Sequence, residues 1–264
     1  MMTLHALWTW LLTPLSGSAV HDISAAVSWH ARCMVLAWAV LLPVGVLVAR
    51  FYKITPKQDW PRVLDNKRWW HAHLASQSLG IAAAMVGVYL IYGVQISATK
   101  ISPTLTTAHN YLGWSVLALG LLQVLGGVLR GTKGGPSDSQ LRGDHYDMTR
   151  RRRVFEMLHK GAGYAALALA VLTVALGLVI ADAPRWMPIV LAGWWLGVAL
   201  AFVRLQRQGR CIDTYQAIWG DGLHHPGNAI PAAGWGSQRY CAARFAQQFR
   251  THTSPVTVAH KGQS

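Results

Sequence analysis

Long apolar stretches alternate with short polar ones along this chain. Five apolar stretches stand out, at 23–51, 69–94, 106–129, 154–180 and 186–205. Roughly 20 helical residues at 1.5 Å rise each cross a ~30 Å hydrocarbon core, so each stretch is long enough to span a bilayer. Soluble helical proteins do not repeat this length and apolarity five times. The pattern predicts an all-α membrane protein with five transmembrane helices. Its divisions are an N-terminal segment 1–21, a four-helix core 22–182, a fifth transmembrane helix 183–208 and a tail 209–264.

Local signals set the helix ends. Asp22 or Ser24 can cap the first helix, and Pro43 bends or loosens it. Asp65-Asn66 precede the second, and the turn Ser102-Pro103-Thr104 opens the third. The fourth starts after Asp147-Met148-Thr149, and the fifth starts near Pro184 and stops before Gly209. Short connections at 97–105 and 181–186 favour antiparallel neighbours. The apolar run 4–15 is broken by Pro14 and is too short to span. A cleaved signal with Gly17-Ser18-Ala19 at its end is one reading, but no Lys or Arg marks its start. An uncleaved segment lying at the outer interface is preferred. The tail from about Gln206 is polar, with Gly and Pro scattered through 219–236, and is expected to have little core of its own.

The chain is 52% hydrophobic and 13% charged, with a formal net charge of +14. The distribution of that charge matters more than its size. One side carries Arg50, Lys53, Lys57, Arg62, Lys67 and Arg68, then Arg130, Lys133, Arg142 and the run Arg150 to Arg153. The tail returns to this side with Arg204, Arg207, Arg210, Arg239, Arg244, Arg250 and Lys261. The opposite connections hold only Lys100 and Arg185, and residues 1–29 hold neither Lys nor Arg. By the positive-inside rule the N-terminus is outside and the tail cytoplasmic. The charge reads as topology, so nucleic acid is not an expected partner and the lipid bilayer is. Cys33, Cys211 and Cys241 form no disulfide framework, and the absence of C-x-x-C-H argues against covalent c-type haem.

Four histidines mark the apolar segments: His30, His73, His109 and His159. An unpartnered polar group in hydrocarbon costs several kcal/mol, so each needs a reason to be there. Each lies early in its helix, and successive helices run in opposite directions. His30 and His109 therefore share the outer level, and His73 and His159 the inner one. In an up-down bundle the members of each pair sit on diagonal helices and face one another. Two opposed imidazoles suit a flat macrocycle with six-coordinate iron, and bis-histidine b-type haem is the natural occupant. The levels are separated by ~15–20 Å of helix rise. Gly113 and Gly163 follow His109 and His159 by four, leaving room on the same face. Gly80, Gly120, Gly126 and Gly127 could serve similarly, although small residues also mediate plain helix contact.

One intramembrane histidine is most often a hydrogen-bonded structural residue, but four sorted by level argue for ligands. Zinc draws three or four ligands together, and each level supplies two. His71 competes with His73, about 200° away on the helix. Gln77 and Gly80 share the His73 stripe and favour His73. His5, His21, His145, His224, His225, His252 and His260 fall in loops, tail or terminus and are expected to be solvated.

At these residues the chain resembles the cytochrome b561 family in its bacterial form. The matching stretches are W-H-A-R-C-M from Trp29, L-P-V-G-V-L-V-A-R from Leu42, W-W-H-A-H-L-A-S-Q from Trp69, H-N-Y-L-G-W from His109 and H-K-G-A-G-Y from His159. The resemblance covers roughly 25–182, and the spacing of Trp69, His73 and Gln77 again selects His73. It implies two haem b groups held by His30, His109, His73 and His159. It also implies electron passage from an inner donor to an outer acceptor, as in a ferric reductase, in a bacterial plasma membrane. Donor and acceptor are small molecules or proteins. Eukaryotic members oxidise ascorbate at basic residues near the inner haem, and the analogous positions here are Arg68, Arg150 and Arg153. Two alternatives stand beside a transmembrane oxidoreductase: a quinone-linked cytochrome b subunit of a larger complex, and a non-redox scaffold with structural haem. Homodimer and larger complex both remain open.

Overall fold

In the computed structural model, residues 3–19, 23–92, 102–130, 150–222, 228, 231–232 and 234–239 are described. Five helices are long and apolar enough to cross a membrane. They are α2 (Ala25–Phe51), α3 (Arg68–Ile91), α4 (Pro103–Leu129), α5 (Arg150–Ile180) and α6 (Trp186–Arg207). A short helix precedes them, α1 (Leu4–Leu12), and another follows, α7 (Thr214–Trp219). The five expected spans are therefore present; the start signal Asp147-Met148-Thr149 lies outside the described residues. Ser24 Oγ accepts from the Val27 N–H at 3.3 Å, and Pro103 sits in the first turn of α4, where its missing N–H costs nothing. Asn66 Oδ1 accepts from the Arg68 N–H at the start of α3. Gly209 ends α6 with φ +68°, the left-handed conformation that glycine adopts without strain.

α2 pairs along α3, and α4 along α5. The bundle centre is built from Ala37, Trp38, Leu42, Ala84, Val116, Leu117, Ala166 and Ala170. Small residues dominate because helices in lipid associate by close van der Waals approach. A Cβ on Gly80 would come 2.9 Å from the Leu42 side chain, and one on Gly120 2.9 Å from Ile81 and 3.0 Å from Trp38. These two glycines therefore serve helix contact rather than a cofactor cradle. Large apolar side chains such as Leu79, Leu122 and Leu196 are exposed on the outside, the surface a bilayer covers.

Pro43 acts as the sequence predicts, and its consequence reaches α6. The turns just before it, Val35–Leu41, are π-helical. Pro43 has no N–H to offer the Ala39 carbonyl four residues back. The Trp194 indole Nε1 on α6 donates to that carbonyl at 2.7 Å. Ala39, Val174 and Leu191 form a small cluster around this bond, joined by Val35, Val40, Leu178 and Trp195. The helix irregularity is thus the docking point of the fifth span.

The N-terminal segment is tied to the α5–α6 connection. The Leu15 N–H donates to Ala183 O, the Arg185 N–H to Thr13 O, and Ser16 N and Oγ both donate to Asp182. It lies at the His30 end of the bundle.

The tail departs from expectation. Cys211, Ile212, Asp213, Tyr215, Gln216, Ala217, Ile218 and Trp219 are all buried. Asp213 caps α7 by accepting from the Tyr215 and Gln216 N–H groups. The segment folds back under the bundle, where Trp60 Nε1 donates to Ala217 O and Lys53 Nζ to Ile212 O. Its core is shared with the loop after α2, which a reading of the tail alone could not reveal.

Trp194→Phe keeps the ring but leaves the Ala39 carbonyl without its donor. The expected cost is about 1 kcal/mol of stability, the usual worth of a hydrogen bond inside a membrane protein. Unfolding of the detergent-solubilised protein, compared with wild type, measures it.

Candidate functional site

Three of the four histidines are held in the same way. His30 Nδ1 lies 2.9 Å from Gly87 O, His73 Nδ1 3.0 Å from Gly45 O and His109 Nδ1 3.0 Å from Thr173 O. A carbonyl can only accept, so each Nδ1 carries the proton and each Nε2 keeps its lone pair. This is the tautomer and anchoring that metal-binding imidazoles use. The bonds also remove the cost of placing a ring N–H among apolar side chains.

The α2–α3 pair is reciprocal. His30 near the start of α2 bonds Gly87 near the end of α3, and His73 near the start of α3 bonds Gly45 near the end of α2. Both acceptors are glycines for a steric reason. A Cβ on Gly87 would come 3.0 Å from Cys33 Cβ and Met34 Cε, and one on Gly45 would strike Ser76 and Gln77. On the other pair, His109 crosses to α5, where a Cβ on Gly177 would sit 3.1 Å from its Cε1. His159 breaks the pattern. Its Nδ1 is buried without a hydrogen bond, and its ring stacks on Phe155 at 5.2 Å.

One of the two expected histidine pairs is in ring contact. The His30 and His109 rings face each other with centroids 6.4 Å apart and planes at 75°. Metal–imidazole bonds are about 2 Å long, so two such bonds and the inner halves of both rings account for roughly 6 Å. The spacing of the pair therefore matches one metal ion between two imidazoles. A cavity of about 1240 Å³ opens around it, lined by both histidines, Gly113, Trp38, Trp114 and Leu117. Among the described residues, no three His, Cys, Asp or Glu side chains gather into a metal cluster.

His71 is exposed and His73 half-buried, in line with helical phase. His5 is exposed on α1, while His21, His145, His224, His225, His252 and His260 lie outside the described residues. Gly113 lines the cavity, whereas a Cβ on Gly163 would sit 3.7 Å from the Gln123 side chain. Gly126 faces Phe155 at 3.7 Å, and a Cβ on Gly127 would meet nothing.

Arg68, Arg150 and Arg153 are exposed at helix ends, and the structure does not gather them into a site. The cations that do converge are others. Arg50 donates to Gln206, Tyr164 OH and Trp235 O, and it lies over the rings of Phe51, Phe202 and Trp235 at 5.0–5.5 Å. Arg152 pairs with Glu156 at 3.7 Å and donates to Tyr215 OH, and Glu156 takes Lys160 at 2.7 Å. Sequence reasoning treats these residues as a topological charge cluster. Only their contacts with the tail distinguish them from the exposed members.

Residues 29–183 match the family described as eukaryotic cytochrome b561. A cytochrome b561 and DOMON domain-containing protein of Arabidopsis thaliana is 28% identical over 149 residues, 56% of this chain and 27% of that protein. A second Arabidopsis thaliana protein, with cytochrome b561, DM13 and DOMON domains, is 26% identical over 169 residues, covering 64% and 16%. Ferric-chelate reductase 1 of Bos taurus is 28% identical over 154 residues, covering 56% and 22%. The chain thus spans about a quarter or less of these relatives' length. No solved structure matches it.

Lys53 provides a test of the inner assembly. Burial, reinforced by the charge of Lys160, holds its ammonium down to about 8 from the ordinary 10.5. Between these values the unfolded chain keeps a proton that the folded chain has lost, so stability rises as pH rises through this window. Thermal unfolding followed from pH 8 to pH 10 is expected to show that rise in wild type and a smaller one in Lys53→Met. Equal slopes would remove Lys53 from the buried network.

Proposed function

The chain belongs to the cytochrome b561 family, and we propose that it carries electrons across the membrane by means of two b-type haems. The observation that carries this reading is the arrangement of imidazoles. The His30 and His109 rings lie 6.4 Å apart on the wall of one cavity, and their Nδ1 protons are committed to backbone carbonyls, which leaves each Nε2 with its lone pair. His30 and His109 would hold the outer haem, and His73 and His159 the inner one. Haem b held by these histidines would supply one-electron iron chemistry, which suits electron transfer.

The protein's own residues define the surroundings. The Gly87, Gly45 and Thr173 carbonyls fix ring orientation and raise the basicity of three Nε2 atoms. The walls beside His30 and His109 include the apolar side chains of Trp38, Trp114 and Leu117. The charge asymmetry supports an orientation with the N-terminus outside and the tail inside. The electron then enters at the His73/His159 level and leaves at the His30/His109 level. The proposed setting is a bacterial plasma membrane, on the resemblance of the histidine stretches to the family's bacterial form. Ferric chelate is a candidate outer acceptor by analogy with the Bos taurus relative. A small anionic reductant is the candidate donor, with Arg68, Arg150 and Arg153 as exposed cations on the donor side.

The test is an anaerobic visible spectrum of the purified protein, with haem quantified per chain and donors added one at a time. Two haems per chain and rapid reduction by a soluble donor are expected. No haem, or one per chain, would sink the reading. His30→Ala and His109→Ala should each lower the content from two haems to one, with the remaining haem still reducible. Loss of both haems from either variant would contradict independent levels.

A further inference from the structure

One cation in the spanning region is left unused by the electron path. Arg32 lies on α2, seven residues into the helix and ~10 Å below its start. It interrupts the charge pattern, since no Lys or Arg precedes it in the chain. It is also the one Lys or Arg among the residues lining the large cavity. An ionisable side chain at such a depth is costly unless it meets a counter-charge or reaches the interface.

Helical phase separates Arg32 from the histidine pair. Two residues on from His30, it points about 200° away around α2. That face docks α6, as the Ala39–Trp194 bond and the packing of Val35 with Leu191 show. The cavity lining includes Ser28, Arg32 and Leu36 of α2, and Met187, Val190 and Leu191 of α6. On its α2–α6 side this cavity has the apolar Leu36, Met187, Val190 and Leu191, with Arg32 and, one turn nearer the helix start, Ser28.

The guanidinium leans toward the helix start and lies over the Trp29 ring at 5.0 Å from its centroid. Arginines below an interface extend in this way, and tryptophans sit at headgroup level. No carboxylate of the described residues pairs with Arg32. Asp182, the one acid of the cavity, accepts from Ser16 N and Oγ. An exposed, planar, permanently charged fork facing an apolar crevice fits a phosphate carrying acyl chains. We infer that Arg32 and Ser28 bind the phosphate of an anionic phospholipid whose chains fill the crevice between α2 and α6.

The test uses the full-length, haem-loaded protein. It is reconstituted with equimolar dioleoyl phosphatidylglycerol and dioleoyl phosphatidylcholine, repurified in mild detergent, and its retained lipid measured by native mass spectrometry. One phosphatidylglycerol per chain is expected, in preference to phosphatidylcholine. Arg32→Gln should lower that retention about tenfold or more, the worth of a hydrogen bond to a charged group. Its haem content and visible spectrum should be unchanged. Equal retention by wild type and Arg32→Gln overturns the inference, as does displacement of the lipid by excess inorganic phosphate. Haem loss or a spectral shift in Arg32→Gln with lipid retention intact also overturns it, by assigning Arg32 to a carboxylate of the cofactor. If Arg32→Gln does not fold, the absence of any headgroup preference in wild type is decisive against it.

Discussion

The hydrogen bond from an imidazole Nδ1 to a backbone carbonyl on the neighbouring helix is the constraint around which this bundle is built. A helix carbonyl in lipid is already engaged within its own helix, and a ring N–H there has no water to turn to. Pairing the two across a helix interface satisfies the ring and aims its other nitrogen inward. The bond requires the two helix axes to lie close together. Gly45 and Gly87 provide that approach, because a Cβ at either would strike the facing helix. The reciprocal bonds of His30 and His73 then hold α2 and α3 in register at both ends.

The same logic of displaced backbone bonds explains the fifth span. Pro43 cannot serve the Ala39 carbonyl, the helix widens into π geometry before it, and Trp194 supplies the missing donor. α6 is thereby fixed to the face of α2 that points away from the histidines. One helix thus carries His30 on one side and the α6 contact on the other.

At the opposite end, charge does more than set orientation. Arg50, Lys53 and Arg152 are all buried, and each is bonded to residues of the C-terminal segment. The basic residues that the segment leaves exposed, Arg68, Arg150 and Arg153, stay available to solvent. The C-terminal segment is therefore packed against the end of the bundle opposite His30. Its polar composition conceals this, because the apolar residues it buries are few and closely spaced between Cys211 and Trp219.

Periodicity, length and charge asymmetry were enough to determine five spans, their alternation and the sorting of four histidines into two levels. These follow from the chain alone because a bilayer imposes a fixed thickness and a sign preference on every segment. Helical phase likewise separated His73 from His71. The tertiary structure decided what depends on partners distant in sequence: the glycine and threonine carbonyls that orient three rings, the absence of such a bond at His159, the Trp194 donor for Ala39, and the burial of one arginine within the run Arg150 to Arg153 while its neighbours stay exposed. No local pattern encodes these. A backbone carbonyl is the same at every residue, and only close packing of two helices determines which one lies within reach of a ring.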